Sequence, residues 1–247
     1  MAEHQVVSRE AWVKARKALL AEEKALTKQR DEICRKRRAL PWVKVEQDYR
    51  FEGPDGEVSM AVLFGDKQQL IVYHFMYAPG WEAGCPGCSF LADHFDGALL
   101  HAPHGGAAFA VVSRAPYEEF AGFKQRMGWK FLWVSSNANS FNFDYHVSFT
   151  EESLAAGIAS YNYEELPEKK PGECPGFSVF WKDEDGTIYH TYSEYARGAE
   201  EVIGAFMLLD MTPLGRNEKT IMDWVRLHDE YDAAEKASCC GGTAVPA

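Results

Sequence analysis

The sequence predicts an α/β fold: a central mixed sheet in three layers with its flanking helices, preceded by a long N-terminal helix and carrying one inserted segment. Three observations predict it. Residues 8–39 run without Gly or Pro and with helical spacing. Between residues 69 and 136, apolar runs rich in β-branched and aromatic residues alternate with helical stretches, the pattern of parallel βαβ units. Near the C-terminus two alternating runs flank Asp185-Gly186, a hairpin signal.

The elements follow in order. Ser8 is the expected N-cap of the first helix, with Glu10 in its first turn. Trp12, Leu19, Leu26, Ile33 and Leu40 stand seven apart and form one narrow apolar stripe. The second half of a heptad seam is weak, since Glu22 and Gln29 occupy it, so the stripe should pack on the domain or, in a homodimer, on a second subunit. The basic run Arg35–Arg38 suits a helix C-terminus. After Pro41, "YRFEGPDGEVSM" carries a turn between short extended segments, and Ser59 opens a single helical turn. "QLIVYHFMY", Gln69–Tyr77, is a continuous apolar run expected as a buried central strand. A loop with Cys85 and Cys88 leads to a helix from about Pro86 to Leu100. Strands at Ala107–Ser113 and Lys130–Ser136 bracket a helix opened by Pro116. Residues 137–170 are aromatic and irregular, and form the insertion, with one short helix near Glu151–Ala159. The hairpin follows, then a helix over "GAEEVIGAFMLLDM" and another near Glu218–Lys236. This divides the chain into an arm at 1–40, a domain at 41–238 and a flexible tail at 239–247.

Composition narrows the function. The chain has 247 residues and is 46% hydrophobic, enough for a packed core. No stretch approaches the roughly 18 apolar residues of a membrane span, and the charged N-terminus lacks the apolar centre of a signal peptide, so a cytoplasmic protein is expected. The net charge is −11, and residues 1–50 hold 13 Lys and Arg against 8 Asp and Glu, so the rest of the chain is strongly acidic. An acidic body argues against a nucleic-acid partner. Six cysteines are too few for a disulfide scaffold, and in a reducing compartment a close pair points to redox chemistry or a metal.

A strand, Cys-x-x-Cys, a helix, and later a proline before an antiparallel hairpin and a last helix: this order resembles the thioredoxin fold. A thiolate is the reactive form of cysteine, with a free pKa near ~8.5, and a helix N-terminus stabilises it. Cys85, at the helix start, is the expected nucleophile, and Cys88, one turn in, the resolving thiol. Pro86 fits the first turn, and Gly87 should leave the backbone open to a partner. The fold resemblance implies a cis Pro175 facing the pair and places Cys174 beside it, where a third thiol or a plain small residue are both readings. It also places His74 where thioredoxins keep a buried acid, as a proton acceptor or as a hydrogen-bonded core residue. Thioredoxins have a tryptophan directly before the first cysteine; Gly84 stands there, and Trp81 either covers the site or packs elsewhere. Asp93 and His94 fit helical surface charge.

The segments "VSREAWVKARKALLAEEKALT", "RRALPWVKVEQDYRFEGPDG", "LIVYHFMYAPGWEAGCPGCSFLAD", "FNFDYHVSF", "HTYSEYARG" and "LLDMTPLGRNE" carry a further resemblance, over most of the chain. They resemble a bacterial family of uncharacterised thioredoxin-like proteins described as dithiol-disulfide oxidoreductases on fold and motif. That family has Ser where Gly87 stands and an apolar residue where Cys174 stands. The resemblance implies thiol–disulfide exchange on a disulfide-containing protein or small molecule, with no cofactor and no metal, away from membranes.

Three other functions stay open. A peroxiredoxin-type thiol peroxidase would want Pro and Thr or Ser at the positions of Ala78 and Glu82. A non-catalytic metal module would need His94, His101, His104 or Cys174 to complete a ligand set with the pair. A structural thioredoxin-fold protein would use the striped helix and the insertion. Cys239 and Cys240, on a Gly-rich tail, could exchange with the pair or be inert.

Overall fold

A computed structural model describes residues 4–157, 159–165 and 172–231. The chain divides into two compact units, Met1–Trp42 and Val43–Ala247. The first is built on α1 (Arg9–Arg38). The Ser8 hydroxyl caps it by accepting from the Ala11 N–H, Glu10 lies in the first turn, and Arg35, Lys36, Arg37 and Arg38 fill the last. None of its residues is buried, and Trp12, Leu19, Leu26 and Ile33 stay exposed along the stripe.

The second unit begins with β1 (Val43–Lys44), β2 (Arg50–Gly53), β3 (Gly56–Ser59) and one turn, α2 (Met60–Leu63). Ser59 is the residue before α2, although its side chain makes no capping bond. Then come β4 (Gln69–His74), α3 (Pro86–Ala92), α4 (Phe95–Ala98), β5 (Ala107–Ser113), α5 (Tyr117–Arg126) and β6 (Trp133–Ser135). The next stretch holds α6 (Phe141–Asp144), β7 (Ser148–Phe149), α7 (Glu151–Ala155), β8 (Ser160–Tyr161), β9 (Glu164–Glu165) and β10 (Gly172–Glu173). The hairpin is β11 (Gly176–Lys182) with β12 (Ile188–Tyr195), followed by a 3₁₀ helix at Ala196–Val202 and by α8 (Gly204–Leu209).

Eight strands form one mixed sheet in the order β1-β12-β11-β4-β5-β6-β2-β3. β4, β5 and β6 are parallel neighbours, and β11 lies antiparallel on the other side of β4. The parallel βαβ units and the antiparallel hairpin expected from the sequence are both present. One face of the sheet packs Tyr73, Phe75, Val111, Trp133 and Phe177 against Cys88 and Phe90 of α3, Phe95 of α4, Phe120 and Phe123 of α5, and Phe206 of α8. The other packs Phe51, Leu70, Val72, Val112, Val134 and Phe180 against Met60 and Leu63 of α2 and Phe141 of α6. The three layers are therefore present. The insertion is not peripheral, because Phe141 and Tyr145 complete the second core.

Several expected elements differ, each for a tertiary reason. The helix foreseen from Pro86 to Leu100 breaks at Asp93–His94. The Asp93 carboxylate accepts from Trp129 Nε1 (2.8 Å) and pairs with His228 (2.7 Å), while His94 bonds Phe90 O and the Ala205 N–H. Both residues thus join elements and do not serve as free surface charge. The helix over residues 198–211 is split by buried Ile203, whose non-helical backbone ends the 3₁₀ turn. Residues 218–230 form turns and a 3₁₀ turn at His228–Glu230 in place of a helix, because buried Val225 and Leu227 require a non-helical path and Asp223 takes the N–H groups of Lys219 and Thr220; Tyr231 is helical. The remainder of that helix, the tail and Cys239–Cys240 lie outside the described residues. Among the described residues, no helix is long and apolar enough to cross a membrane.

Candidate active site

The site grows from the end of β4. Parallel pairing with β5 and antiparallel pairing with β11 fix that strand at the centre of the sheet, and its continuation to Tyr77 turns into the cysteine loop. Gly84 sits in this loop where a Cβ would meet the Phe75 ring at 2.6 Å and the Phe123 ring at 2.8 Å. The packed aromatics leave no room for a side chain, which accounts for glycine where thioredoxins have tryptophan. Cys85 is then the N-cap of α3 and Pro86 its first residue. The Cys85 N–H donates to Met76 O at 3.3 Å, and its carbonyl accepts from both the N–H and the hydroxyl of Ser89 at 2.9 Å. The backbone of the cysteine is held from both sides.

Both cysteines are free thiols, Cys85 half-buried and Cys88 buried. Their environments separate their acidities. The Cys88 thiol, hydrogen-bonded to the Cys85 sulfur, is the largest influence lowering the Cys85 pKa, to about 6; burial opposes it, and the N–H groups of Cys88 and Gly87 assist. Burial and the neighbouring Cys85 push Cys88 well above its ordinary value. The Tyr73 hydroxyl bonds the Cys88 sulfur, and burial raises Tyr73 as well. At neutral pH one sulfur is therefore favoured as a thiolate and the other as a thiol.

Cys85 and Cys88 open into an apolar cleft of about 280 Å³. Pro175 forms part of its wall, because Gly176 pairs with His74 and so brings the preceding proline to the end of β4. Tyr161, from the insertion, holds that wall: its hydroxyl donates to Pro175 O at 2.7 Å and accepts from the Ala196 N–H at 2.8 Å. Upstream, buried Glu173 is clamped by Arg114 (2.6 Å) and by the Ser148 hydroxyl.

This site lies in a chain that matches the family of bacterial proteins of unknown function DUF899 over residues 1–231. The chain belongs to that family. Among curated proteins none matches it. Among solved structures it is similar to a Xanthomonas campestris peroxiredoxin Q mutant, at 16% identity and a TM-score of 0.43, over 64% of this chain and 90% of that one. It is similar to the peroxidoxin BcpB of Mycobacterium tuberculosis, at 15% identity and a TM-score of 0.45, over 69% and 97% of the two chains. A Bacteroides vulgatus protein provisionally assigned as a thiol-disulfide oxidoreductase is similar at 16% identity and a TM-score of 0.35, over 64% and 92%. These are distant similarities.

In this DUF899 protein the other expected site residues divide. His74 is on the opposite face of the sheet from Cys88, and the expectation that it serves the resolving thiol is corrected. Its ring lies against Phe141 and Tyr145, and Nε2 bonds the Ser178 hydroxyl at 2.8 Å. Burial drives its pKa down to about 3, so it is neutral at working pH. Alternation along β4 instead turns Tyr73, one residue earlier, toward the pair. No peptide bond among the described residues is cis, so the Cys174–Pro175 bond is trans, the lower-energy isomer, and the expected cis proline is corrected. Cys174 is not part of the cleft wall; its N–H donates to Val147 O, and burial beside Glu173 pushes its thiol up to about 11. Trp81 lies outside the wall and packs near Tyr77, ring centroids 6.5 Å apart. Gly87 is half-buried and forms part of the cleft wall, with Met222 Sδ 3.2 Å from where its Cβ would be. Among the described residues no three His, Cys, Asp or Glu side chains converge on a common point, and both ring nitrogens of His94 are engaged within the protein.

Sequence reasoning missed Tyr73 and Met222. Tyr73 had no usable signal, since the run around it is largely apolar on both strand parities. Met222 had none, because it reaches the pair from a turn 134 residues beyond Cys88.

Proposed function

We propose that this protein is a thiol–disulfide oxidoreductase that uses Cys85 and Cys88. The observation that supports it best is the contrast within the pair: a half-buried Cys85 with its pKa lowered to about 6 beside a buried Cys88 with its pKa raised. In the reaction the Cys85 thiolate attacks one sulfur of a substrate disulfide. The Cys85–substrate bond forms, the substrate's S–S bond breaks, and its other sulfur leaves as a thiolate that takes a proton from water. Cys88 then loses its proton and attacks Cys85 Sγ, releasing the second substrate sulfur as a thiol. The two-electron balance is one substrate disulfide reduced and one Cys85–Cys88 disulfide formed; an external thiol reductant restores the dithiol. The hydroxyl of Tyr73 supports the second step by donating to the Cys88 sulfur, which favours the thiolate that must form there, while the Cys88 proton ends on the departing substrate sulfur.

The test is trapping. Cys88→Ser is expected to accumulate a mixed disulfide on Cys85, seen as an adduct mass. Cys85→Ser is expected to form none and to lose exchange by about a thousandfold or more. Full exchange in Cys85→Ser would overturn the proposal.

A further inference from the structure

The groups by which a thioredoxin-like site would pair with a polypeptide backbone are already used within this chain. An extended peptide binds beside a strand through main-chain hydrogen bonds. Flanking the proline, the Cys174 N–H is given to Val147 O and the Pro175 carbonyl accepts from Tyr161. On the other side of the thiol, Met222 packs against Gly87, and both line the cleft. What remains open to Cys85 is the cleft, walled by Met76, Leu91, Tyr161, Ile203 and Met222.

Its charge is also accounted for. Arg197 and Glu200 are the charged residues of the wall, and they bond each other at 2.7 Å. Glu200 is further held by Arg216 at 2.8 Å, and Arg216 by Asp210 at 3.0 Å. Arg197 and Arg216 balance Glu200 and Asp210, so this network gives the wall no net positive charge to attract a carboxylate-bearing disulfide, and the net charge of −11 opposes the approach of one. A volume of about 280 Å³ is at the lower edge of small-ligand pockets, roughly 300–1,000 Å³. It suits one small organic group and excludes a folded loop.

We infer that the substrate is a low-molecular-weight, uncharged disulfide bearing an apolar alkyl or aryl group, whose hydrocarbon part fills this cleft while one of its sulfurs meets Cys85. The inference rests on the exchange reaction proposed above, and the same electron balance applies: the organic disulfide leaves as two thiols and the pair closes.

The experiment uses the full chain, reduced and freed of reductant. It is mixed with diethyl, dipropyl or dibutyl disulfide, with glutathione disulfide, or with insulin, then acid-quenched, and the Cys85–Cys88 disulfide is quantified by mass. Each added methylene is expected to raise the second-order rate by about three- to fourfold, from the transfer free energy of a buried CH₂. Dibutyl disulfide is expected to outrun both glutathione disulfide and insulin. Met222→Glu is expected to flatten the dependence on chain length. A flat series in the unaltered chain, or insulin or glutathione disulfide as the fastest reactant, would overturn this inference while leaving the exchange reaction standing. Failure to react with any of these and with the neutral probe 4,4′-dithiodipyridine would overturn both.

Discussion

Tyr73 and His74 are neighbours on β4, equally dry and turned to opposite faces of the sheet. On the Tyr73 side, hydrogen bonds point at the charged form of a thiol, and Cys85 is acidified to about 6. On the His74 side, the ring bonds Ser178, Ser178 bonds Ser193 at 2.8 Å, and Ser193 bonds His190 at 2.7 Å. That chain contains no carboxylate to favour an imidazolium, and Nδ1 of His74 has no partner within the protein. Burial therefore wins, and the histidine stays neutral. The difference teaches that depth alone creates no reactive group; what decides is whether the surrounding donors and acceptors favour the ionised form.

The largest effect that could break this contrast is on Cys85. Its alkylation by iodoacetamide is expected to be level above about pH 7 and to fall roughly tenfold per pH unit below its pKa of about 6, because protonation removes the nucleophile. A profile still rising through pH 8 would mean that the pair does not acidify this thiol.

The next effect concerns stability on the other face. The folded pKa of His74, about 3, is below the ordinary 6.5, so the unfolded chain binds the proton more readily. Its contribution to stability is full above pH 6.5 and is lost as pH falls toward 3, at no more than about 1.4 kcal/mol per pH unit. Urea unfolding at pH 7 and pH 5 is expected to show this loss, and His74→Met is expected to reduce it. An identical loss in the variant would assign the acid sensitivity elsewhere.

The smallest effect sharpens the separation of the faces. Ser178→Ala is expected to cost about 1–2 kcal/mol, since it strips a buried bond from both His74 and Ser193. The pH profile of Cys85 is expected to stay in place. A displaced profile would show that the two sides of β4 communicate.

Much of this was legible before the structure. β5 spans Ala107–Ser113 as the apolar run indicates, and α5 begins directly after Pro116. Gly186, with φ of 87°, takes the turn between β11 and β12. These are local signals: a proline without an N–H, a glycine free to adopt positive φ, and a side-chain periodicity. The Cys-x-x-Cys at a strand-to-helix junction is of the same kind, since its spacing and the capping position of Cys85 are properties of a few consecutive residues.

What local sequence left open was orientation and company. "QLIVYHFMY" is apolar throughout, so it carries no alternation to say whether Tyr73 or His74 faces the thiols; only pairing with β5 and β11, under two different cores, decides it. Met222 reaches the cleft from a turn and Tyr161 from β8 of the insertion, placements that only the packing of those segments on the sheet decides. By itself the sequence determined an α/β chain with a dithiol at the start of a helix, because propensity and spacing act over a few residues. The sequence also pointed to Cys85 as the acidic sulfur, since the groups that lower its pKa lie within three residues; the tertiary structure alone decided which side chain stands under the pair and which residues wall the cleft, because those depend on contacts between residues far apart in the chain.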